Sequence, residues 1–147
     1  MVDGRHGKLI NDMINFPIQK KNLKLAMLGM TEGNGHPYSW SIIINGKFNT
    51  TALAKCPYAA IIDYISKQPL NTLGIEGAEV THVWTDNPED AKHVAEVAEI
   101  AHVVSDPKDV IGNVDAVLVA TDIGSEHVKR CQAFIEAGVP IFVDKPL

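Results

Sequence analysis

A glycine-rich turn follows the first apolar segment of the chain, in the order Gly29, Gly33, Gly35, His36 and Pro37. Glycines allow backbone amides to approach an anion closely, and a helix that starts at Pro37 adds the partial positive charge of its N-terminus. This arrangement is typical of a turn that binds a nucleotide pyrophosphate. The G-x-G-x-x-G spacing is absent, because the third glycine counted from Gly33 falls on Tyr38. A plain turn between a strand and a helix is therefore the alternative.

Asp86 follows a second apolar segment. A carboxylate at the end of a strand can accept hydrogen bonds from the ribose of an adenosine and repel a 2′-phosphate, which favours NAD over NADP. The alternative is a local role, in which Asp86 or Asn87 caps the helix that begins at Pro88. The two roles are compatible.

Two later turns carry further candidates. Thr121 and Asp122 follow the fourth apolar segment and precede Ser125, and the residue types favour Asp122 or Ser125 as the cap of the next helix. Lys145 follows the last apolar segment. A lysine at such a place is usually an exposed surface charge, so a chemical role for Lys145 needs support from its surroundings.

The elements that position these residues alternate along the chain. Apolar runs predict strands, and apolar residues spaced three and four apart predict helices. Two helices are expected to pack through one face each, formed by Val94, Val97, Ala98 and Ala101 in one and by Val128, Cys131, Phe134 and Ile135 in the other. The predicted strands are 23–30, 80–85, 102–104, 115–120 and 140–143, and the predicted helices are 37–46, 58–67, 88–100, 106–111 and 125–137.

Strands that alternate with helices predict an α/β fold with a doubly wound parallel sheet. In such a sheet ligands bind beyond the carboxyl ends of the strands, which is where the candidate residues lie. We expect an N-terminal arm at residues 1–22 and one domain at 23–147, with an insertion at about 47–77.

The composition limits the partners of the chain. Its 147 residues carry 13 lysines and arginines against 18 acidic residues, a net charge of −5, so nucleic acid is not an expected partner. No apolar run is long enough to span a membrane, and a cytoplasmic location is expected. Cys56 and Cys131 are expected to be reduced and buried, and the histidines lack the spacing of a metal site.

The second half of the chain resembles a known family. Residues 114–121 (VDAVLVAT), the triplet at 136–138 (EAG) and the ending at 143–147 (VDKPL) are similar to the Gfo/Idh/MocA family of glucose-fructose oxidoreductases and inositol dehydrogenases, with Asp144 replacing the glutamate of the family's Glu-Lys-Pro signature. The resemblance is specific over residues 79–147. An ungapped match puts Thr85, rather than Asp86, at the family's acidic position.

The resemblance implies a Rossmann domain that binds NAD(P). It implies that Gly29, Gly33, Gly35 and His36 bind the cofactor through the turn, Asp86 through the ribose and Thr121 along its length. It also implies that Lys145 points at the nicotinamide and acts in catalysis on a sugar, polyol or related hydroxyl or carbonyl compound. NAD is the expected cofactor, rather than NADP.

Family members continue into a second domain that holds the substrate, so the chain is expected to be a truncated or isolated cofactor domain. We expect such a domain to expose apolar surface and to associate with itself. Two alternatives stay open at this point. The chain is a stand-alone module that binds a nucleotide or coenzyme A without catalysis, or a scaffold that has lost its site.

Overall fold

The computed structural model describes residues 22–146, so the predicted arm lies almost wholly outside the described residues. Five strands form one sheet with the order β3-β2-β1-β4-β5, and every pair of neighbours is parallel. The predicted doubly wound parallel sheet is confirmed. The strands are β1 (Leu23–Leu28), β2 (Ala78–Trp84), β3 (His102–Val103), β4 (Ala116–Val119) and β5 (Ile141–Val143).

Five α-helices connect these strands, with single 3-10 turns at Leu70–Thr72 and Pro107–Val110. The first ends where Gly46 adopts a left-handed conformation, with φ of +66°. The fourth begins after Asn87, whose side chain accepts a hydrogen bond from the Glu89 amide. The helices are α1 (His36–Asn45), α2 (Thr50–Leu53), α3 (Ala59–Lys67), α4 (Pro88–Ala98) and α5 (Gly124–Glu136).

The sheet separates two apolar cores, because successive residues of a strand point to opposite faces. In β1, Met27 packs into the core under α1 and α4, whereas Ala26 and Leu28 pack into the core under α5. The helices that follow β1 and β2 therefore cover one face, and the helix that follows β4 covers the other. The connections diverge between β1 and β4, which leaves a crevice at the carboxyl ends of these two strands.

The predicted apolar face of α5 is only half correct. Cys131 and Phe134 are buried, but Val128 and Ile135 are exposed. The buried face is rotated towards His127, whose Nε2 lies 2.7 Å from the Thr121 carbonyl oxygen. This contact satisfies Nε2 of His127, whereas its buried Nδ1 has no hydrogen-bond partner among the described residues. On the other face, Ala101 lies beyond the end of α4 and is exposed.

The segment predicted as an insertion belongs to the first core. Ala52, Leu53, Cys56 and Ile65 of this segment are buried in the cluster that includes α1 and α4. The segment covers the outer side of α1 and ends where Gly74 passes close to Gly46. Both described cysteines are free and buried, as predicted.

Candidate functional site

The carboxyl ends of four strands bring the predicted site residues to one edge of the sheet. The Gly29 amide donates to the Trp84 carbonyl, and the Ala120 amide donates to the Leu28 carbonyl. The Asp144 amide donates to the Val119 carbonyl at 2.9 Å. These backbone bonds place the glycine turn, Asp86, Thr121 and Lys145 around the crevice between β1 and β4.

Gly29 lies where the chain leaves β1, in a left-handed conformation with φ of +83°. A Cβ atom at this position would lie 2.6 Å from Cγ2 of Thr121 and 3.7 Å from Oδ2 of Asp86. The next amide, of Met30, donates to the same Asp86 oxygen at 3.2 Å. The start of the turn is therefore packed directly against the ends of β2 and β4, and only glycine fits there without displacement.

Replacing Gly29 by alanine is expected to destabilise the protein more than replacing Gly33. Both residues have the same left-handed backbone, with φ of +83° and +81°, but a Cβ at Gly33 meets no atom within 4 Å. Gly33→Ala is thus a matched control that carries only the backbone strain of about 1–3 kcal/mol. Gly29→Ala adds a steric clash of about 1–3 kcal/mol. Urea unfolding measures both, and equal losses would contradict the close packing against Thr121.

The second half of the turn offers fewer free backbone amides to an anion than its glycines predict. The His36 amide donates to Oδ1 of Asn34, and Pro37 has no amide hydrogen. A Cβ at Gly35 would lie 2.4 Å from Ile61 Cδ1 and 2.8 Å from Tyr58. Glycine is therefore required at position 35 for α3 to pack against the turn. At the start of α1, neither His36 nor Pro37 has a free amide hydrogen that could bind a phosphate.

Of the two residues that follow β2, Asp86 has an accessible side chain and Thr85 does not. Thr85 is buried and its hydroxyl donates to the Asn87 carbonyl at 2.6 Å, whereas Asp86 is 40% exposed. Asn87 caps α4, so Asp86 has no capping role. The carboxylate accepts from the Met30 amide and from Nη2 of Arg130, the latter at 2.8 Å.

Arg130 is a residue that the sequence prediction missed. Its guanidinium is shared between Asp86, in the turn after β2, and Glu126 on the same helix, at 2.8 and 2.7 Å. Burial opposes the charge, but the hydrogen bonds with these carboxylates outweigh it and raise the pKa of Arg130. The sequence does contain a signal for this residue, because Glu126 and Arg130 are four positions apart on a predicted helix, the spacing of a helical ion pair.

A cleft of about 390 Å³ opens beside Asp86, between α5 and the 3-10 turn at Pro107–Val110. Its volume lies in the range of small-molecule sites. It combines charged walls with an apolar floor, and its lining includes Asp86, Pro107, Lys108, Lys129, Arg130 and Phe134. The cleft is a candidate site for the adenosine end of a dinucleotide.

At the other end of the crevice, Asp144 is held by several donors. It is 4% exposed, and its carboxylate accepts from the Lys145 amide at 2.8 Å and from Nδ2 of Asn34 at 3.2 Å. Nδ1 of His36 lies 2.5 Å from the carboxylate. Burial alone would raise the pKa of Asp144, but the bonds from His36, Lys145 and Asn34 outweigh it and lower the pKa below its ordinary value.

Lys145 is exposed and shares a second cavity, of about 400 Å³, with the glycine turn and α3. The lining includes Gly33, Asn34, His36, Tyr58, Asp122 and Lys145. The structure therefore brings Lys145 together with His36 and two glycines of the turn. The participation of α3 in this cavity has no counterpart in the sequence prediction.

The turn after β4 differs from its prediction. The residue before α5 is Ile123, without a side-chain cap, so the predicted cap by Asp122 or Ser125 is wrong. Asp122 instead accepts a hydrogen bond from the Thr31 hydroxyl and ties the two turns together. Thr121 is fully buried, and its hydroxyl has no partner in the described part of the chain. A buried hydroxyl of this kind fits a turn that contacts a ligand.

The described histidines outside this site have structural partners. His93 contacts the Tyr38 hydroxyl and the Ala52 carbonyl, and His82 stacks on His102. Residues 22–146 contain no group of three side chains that could hold a metal ion. The same residues contain no helix of the length and apolar character needed to cross a membrane.

Comparison with known proteins decides the family. The Gfo/Idh/MocA model, described as an oxidoreductase family with an NAD-binding Rossmann fold, matches residues 62–147, more than half of the chain. The chain belongs to the Gfo/Idh/MocA family. The family predicted from the sequence is thus confirmed, and this Gfo/Idh/MocA chain is an NAD-binding oxidoreductase domain.

Curated relatives of this Gfo/Idh/MocA chain include two inositol 2-dehydrogenases. The protein of Rhodococcus erythropolis is 41% identical over 75 residues, and that of Cereibacter sphaeroides is 42% identical over 74 residues. Each match covers 50% of this chain, but 21% and 22% of the two relatives. The chain therefore spans about a fifth of the length of these relatives.

Solved structures of low sequence identity share the fold. Apo scyllo-inositol dehydrogenase from Lactobacillus casei aligns with a TM-score of 0.54 at 17% identity, over 86% of this chain and 29% of that one. A probable dehydrogenase from Thermotoga maritima aligns with a TM-score of 0.53 at 19% identity, over 85% of this chain and 28% of that one. The Lactobacillus casei enzyme also has a structure with bound NAD(H) and scyllo-inositol.

Proposed function

We propose that the chain binds NAD along the carboxyl edge of its sheet, with the adenosine ribose at Asp86 and the nicotinamide near Lys145. The observation that carries the proposal is the partly exposed Asp86 carboxylate, held beside Gly29 at the start of the turn. An acidic group at the end of the second strand is suited to the two ribose hydroxyls. The buried Thr121 hydroxyl without a described partner fits the same path.

The remaining predicted residues lie along the proposed NAD site. Gly29 and Gly33 let the backbone approach the pyrophosphate, Gly35 keeps the turn packed on α3, and Thr121 supports the turn from beneath. His36 and Lys145 lie at the nicotinamide end. When bound, the nicotinamide supplies the hydride chemistry, while the residues of this chain position it and the substrate.

The charges at the ribose position favour NAD over NADP. Asp86 and Glu126 share the single guanidinium of Arg130, so these three groups together carry a negative charge. A 2′-phosphate would meet this negative charge, whereas a 2′-hydroxyl can donate to Asp86. Lys108 and Lys129 also line the cleft and offset this negative charge, so the proposed preference for NAD depends on the direct contact of a 2′-hydroxyl with Asp86.

For the whole protein we propose oxidation or reduction of a sugar, a polyol or a related hydroxyl or carbonyl compound. The support is the similarity to inositol 2-dehydrogenases, together with the cavity in which Lys145 and His36 meet. A stand-alone module that binds coenzyme A is the alternative, and the experiment below distinguishes the two.

Thermal unfolding with NAD⁺, NADP⁺ or coenzyme A tests the cofactor. A ligand at about 100 times its dissociation constant stabilises the folded chain by about 2.7 kcal/mol, or roughly 5–10 °C for a domain of this size. We expect this shift with NAD⁺, a smaller one with NADP⁺ and none with coenzyme A. Asp86→Ala should abolish most of the shift with NAD⁺ and narrow the difference between the two dinucleotides.

Asp63→Ala is the matched control for this substitution. Asp63 is also an exposed carboxylate in an ion pair, with Lys67, but it lies on α3 and does not line the cleft beside Asp86. This variant should retain the full shift with NAD⁺. A shift with coenzyme A alone, or an Asp86→Ala variant that binds NAD⁺ like the unchanged chain, would overturn the proposal.

A further inference from the structure

Arg130 binds two carboxylates, although one is enough to neutralise its charge. Asp86 holds one corner of the guanidinium, and Glu126 holds a complete edge of it. We propose that Glu126 is a specificity-determining residue, whose carboxylate occupies the edge of Arg130 that would otherwise bind the 2′-phosphate of NADP. The inference rests on the proposed function and deepens it, because it names a second residue that selects the cofactor.

The edge of an arginine formed by Nε and Nη2 is suited to oxyanions. Its two N–H groups point in the same direction and match the oxygens of a carboxylate or a phosphate. In this chain Oε2 of Glu126 lies 2.9 Å from Nε and 2.7 Å from Nη2, so one carboxylate oxygen accepts from both donors. A phosphate can therefore bind this edge of Arg130 only after Glu126 has left it.

The guanidinium of Arg130 lies beside the proposed position of the adenosine ribose. Its Nη1 is 3.5 Å from the place that a Cβ atom on Gly29 would take, so the side chain reaches the start of the glycine turn. Arg130 also lines the cleft together with Asp86, the proposed partner of the 2′-hydroxyl. In dinucleotide-binding folds an arginine near this acidic position accommodates the 2′-phosphate of NADP. Arg130 is thus within reach of the group that distinguishes the two cofactors.

The charge of the cleft leaves room for a phosphate unless both carboxylates act. Three basic side chains and two acidic ones line it, an excess of one positive charge. Such an excess attracts an anionic group. Loss of Glu126 would raise the excess to two and would free an edge of the guanidinium. The charged residues of the lining are Lys108, Lys129, Arg130, Asp86 and Glu126.

Glu126 also has a local role on α5. It lies in the first turn of the helix, where a negative charge is favourable, and it precedes Arg130 by four residues. If this role were its only one, loss of the carboxylate would change the affinities for NAD⁺ and NADP⁺ by the same factor. A role in specificity changes their ratio. The ratio of the two dissociation constants therefore separates the two roles.

Isothermal titration calorimetry of the chain with NAD⁺ and with NADP⁺ tests the inference. We expect Glu126→Gln to tighten the binding of NADP⁺ about tenfold relative to NAD⁺, the effect of a new hydrogen bond between charged groups. Glu126→Ala should change the ratio in the same direction, which excludes an effect of the glutamine amide. Glu136→Gln is the matched control, because it removes the same charge from the same helix. Glu136 binds Gln132 and does not line the cleft, so this variant should keep the original ratio.

The combined variant with Arg130→Gln and Glu126→Gln tests whether the effect acts through the guanidinium. We expect it to lose the gain in relative affinity for NADP⁺. If the gain persists in the combined variant, or if loss of Glu126 leaves the ratio unchanged, this inference fails while binding of NAD⁺ by the unchanged chain still supports the proposed function. If the unchanged chain does not bind NAD⁺, the proposed function fails and this inference fails with it.

Discussion

Phe134→Ala is expected to lower the free energy of unfolding by about 3–5 kcal/mol. Phe134 is 2% exposed and lies on the buried face of α5, in the core formed with Leu28, Val117 and Val119. Removing the ring leaves a cavity between the helix and the sheet, because the strands on either side are fixed by their backbone bonds. Urea unfolding followed by circular dichroism measures the loss. The ring also lines the cleft beside Asp86, so affinity for NAD⁺ should fall in parallel.

Phe142→Ala is a matched control for this prediction. It removes the same side chain from β5, where Phe142 is 58% exposed and touches the edge of Trp40 with a centroid distance of 5.7 Å. Because little surface is removed from water at this position, the expected loss is about 1 kcal/mol or less. Equal losses for the two variants would show that α5 does not pack on the sheet as described.

Asp144→Asn is expected to cost about 1–3 kcal/mol at neutral pH, because the amide nitrogen of asparagine faces groups that donate hydrogen bonds. The effect should depend on pH in a defined direction. The pKa of Asp144 is lowered in the folded chain, so ionised Asp144 stabilises the fold above its unfolded pKa of about 3.9. This contribution is lost as the pH falls below that value and through the folded pKa.

The difference in stability between the unchanged chain and Asp144→Asn, measured by urea unfolding between neutral and acidic pH, checks this prediction. The difference should be constant above the ordinary carboxyl range and should shrink at lower pH, because both side chains are then uncharged. Asp63→Asn provides the control, since an exposed ion pair contributes about 1 kcal/mol or less. A difference that grows on acidification would mean that Asp144 is protonated in the folded chain at neutral pH.

The fold could be predicted from the sequence because its signals are local. Apolar runs such as 23–28 and the helix starts at Pro37 and Pro88 are determined by neighbouring residues, and each was placed within two residues of its position in the structure. The error at Val128 and Ile135 has a different origin. An apolar stripe shows which residues are able to be buried, but the buried side of α5 also includes the polar residue His127, which contacts the turn just before the helix.

The candidate site was predictable in position and only partly in detail. The carboxyl edge of a parallel sheet follows from the topology, so Asp86, Thr121 and Lys145 were found as residues at strand ends. Arg130 and Asp144 acquire their importance from partners 44 and 108 residues away in the sequence. Such pairs leave no local pattern. The contribution of α3 to the cavity was missed for the same reason, since its residues read as an insertion.

The packing of Gly35 against Tyr58 and Ile61 has a consequence for the transfer of this turn to other proteins. The path of the turn is set by a neighbouring helix as well as by its own glycines, so the turn grafted alone onto another parallel sheet would not reproduce its shape. To move the site, α1, the segment as far as α3 and their shared core would have to be transferred together. Homologues with a shorter connection between α1 and β2 are expected to have a turn of different shape.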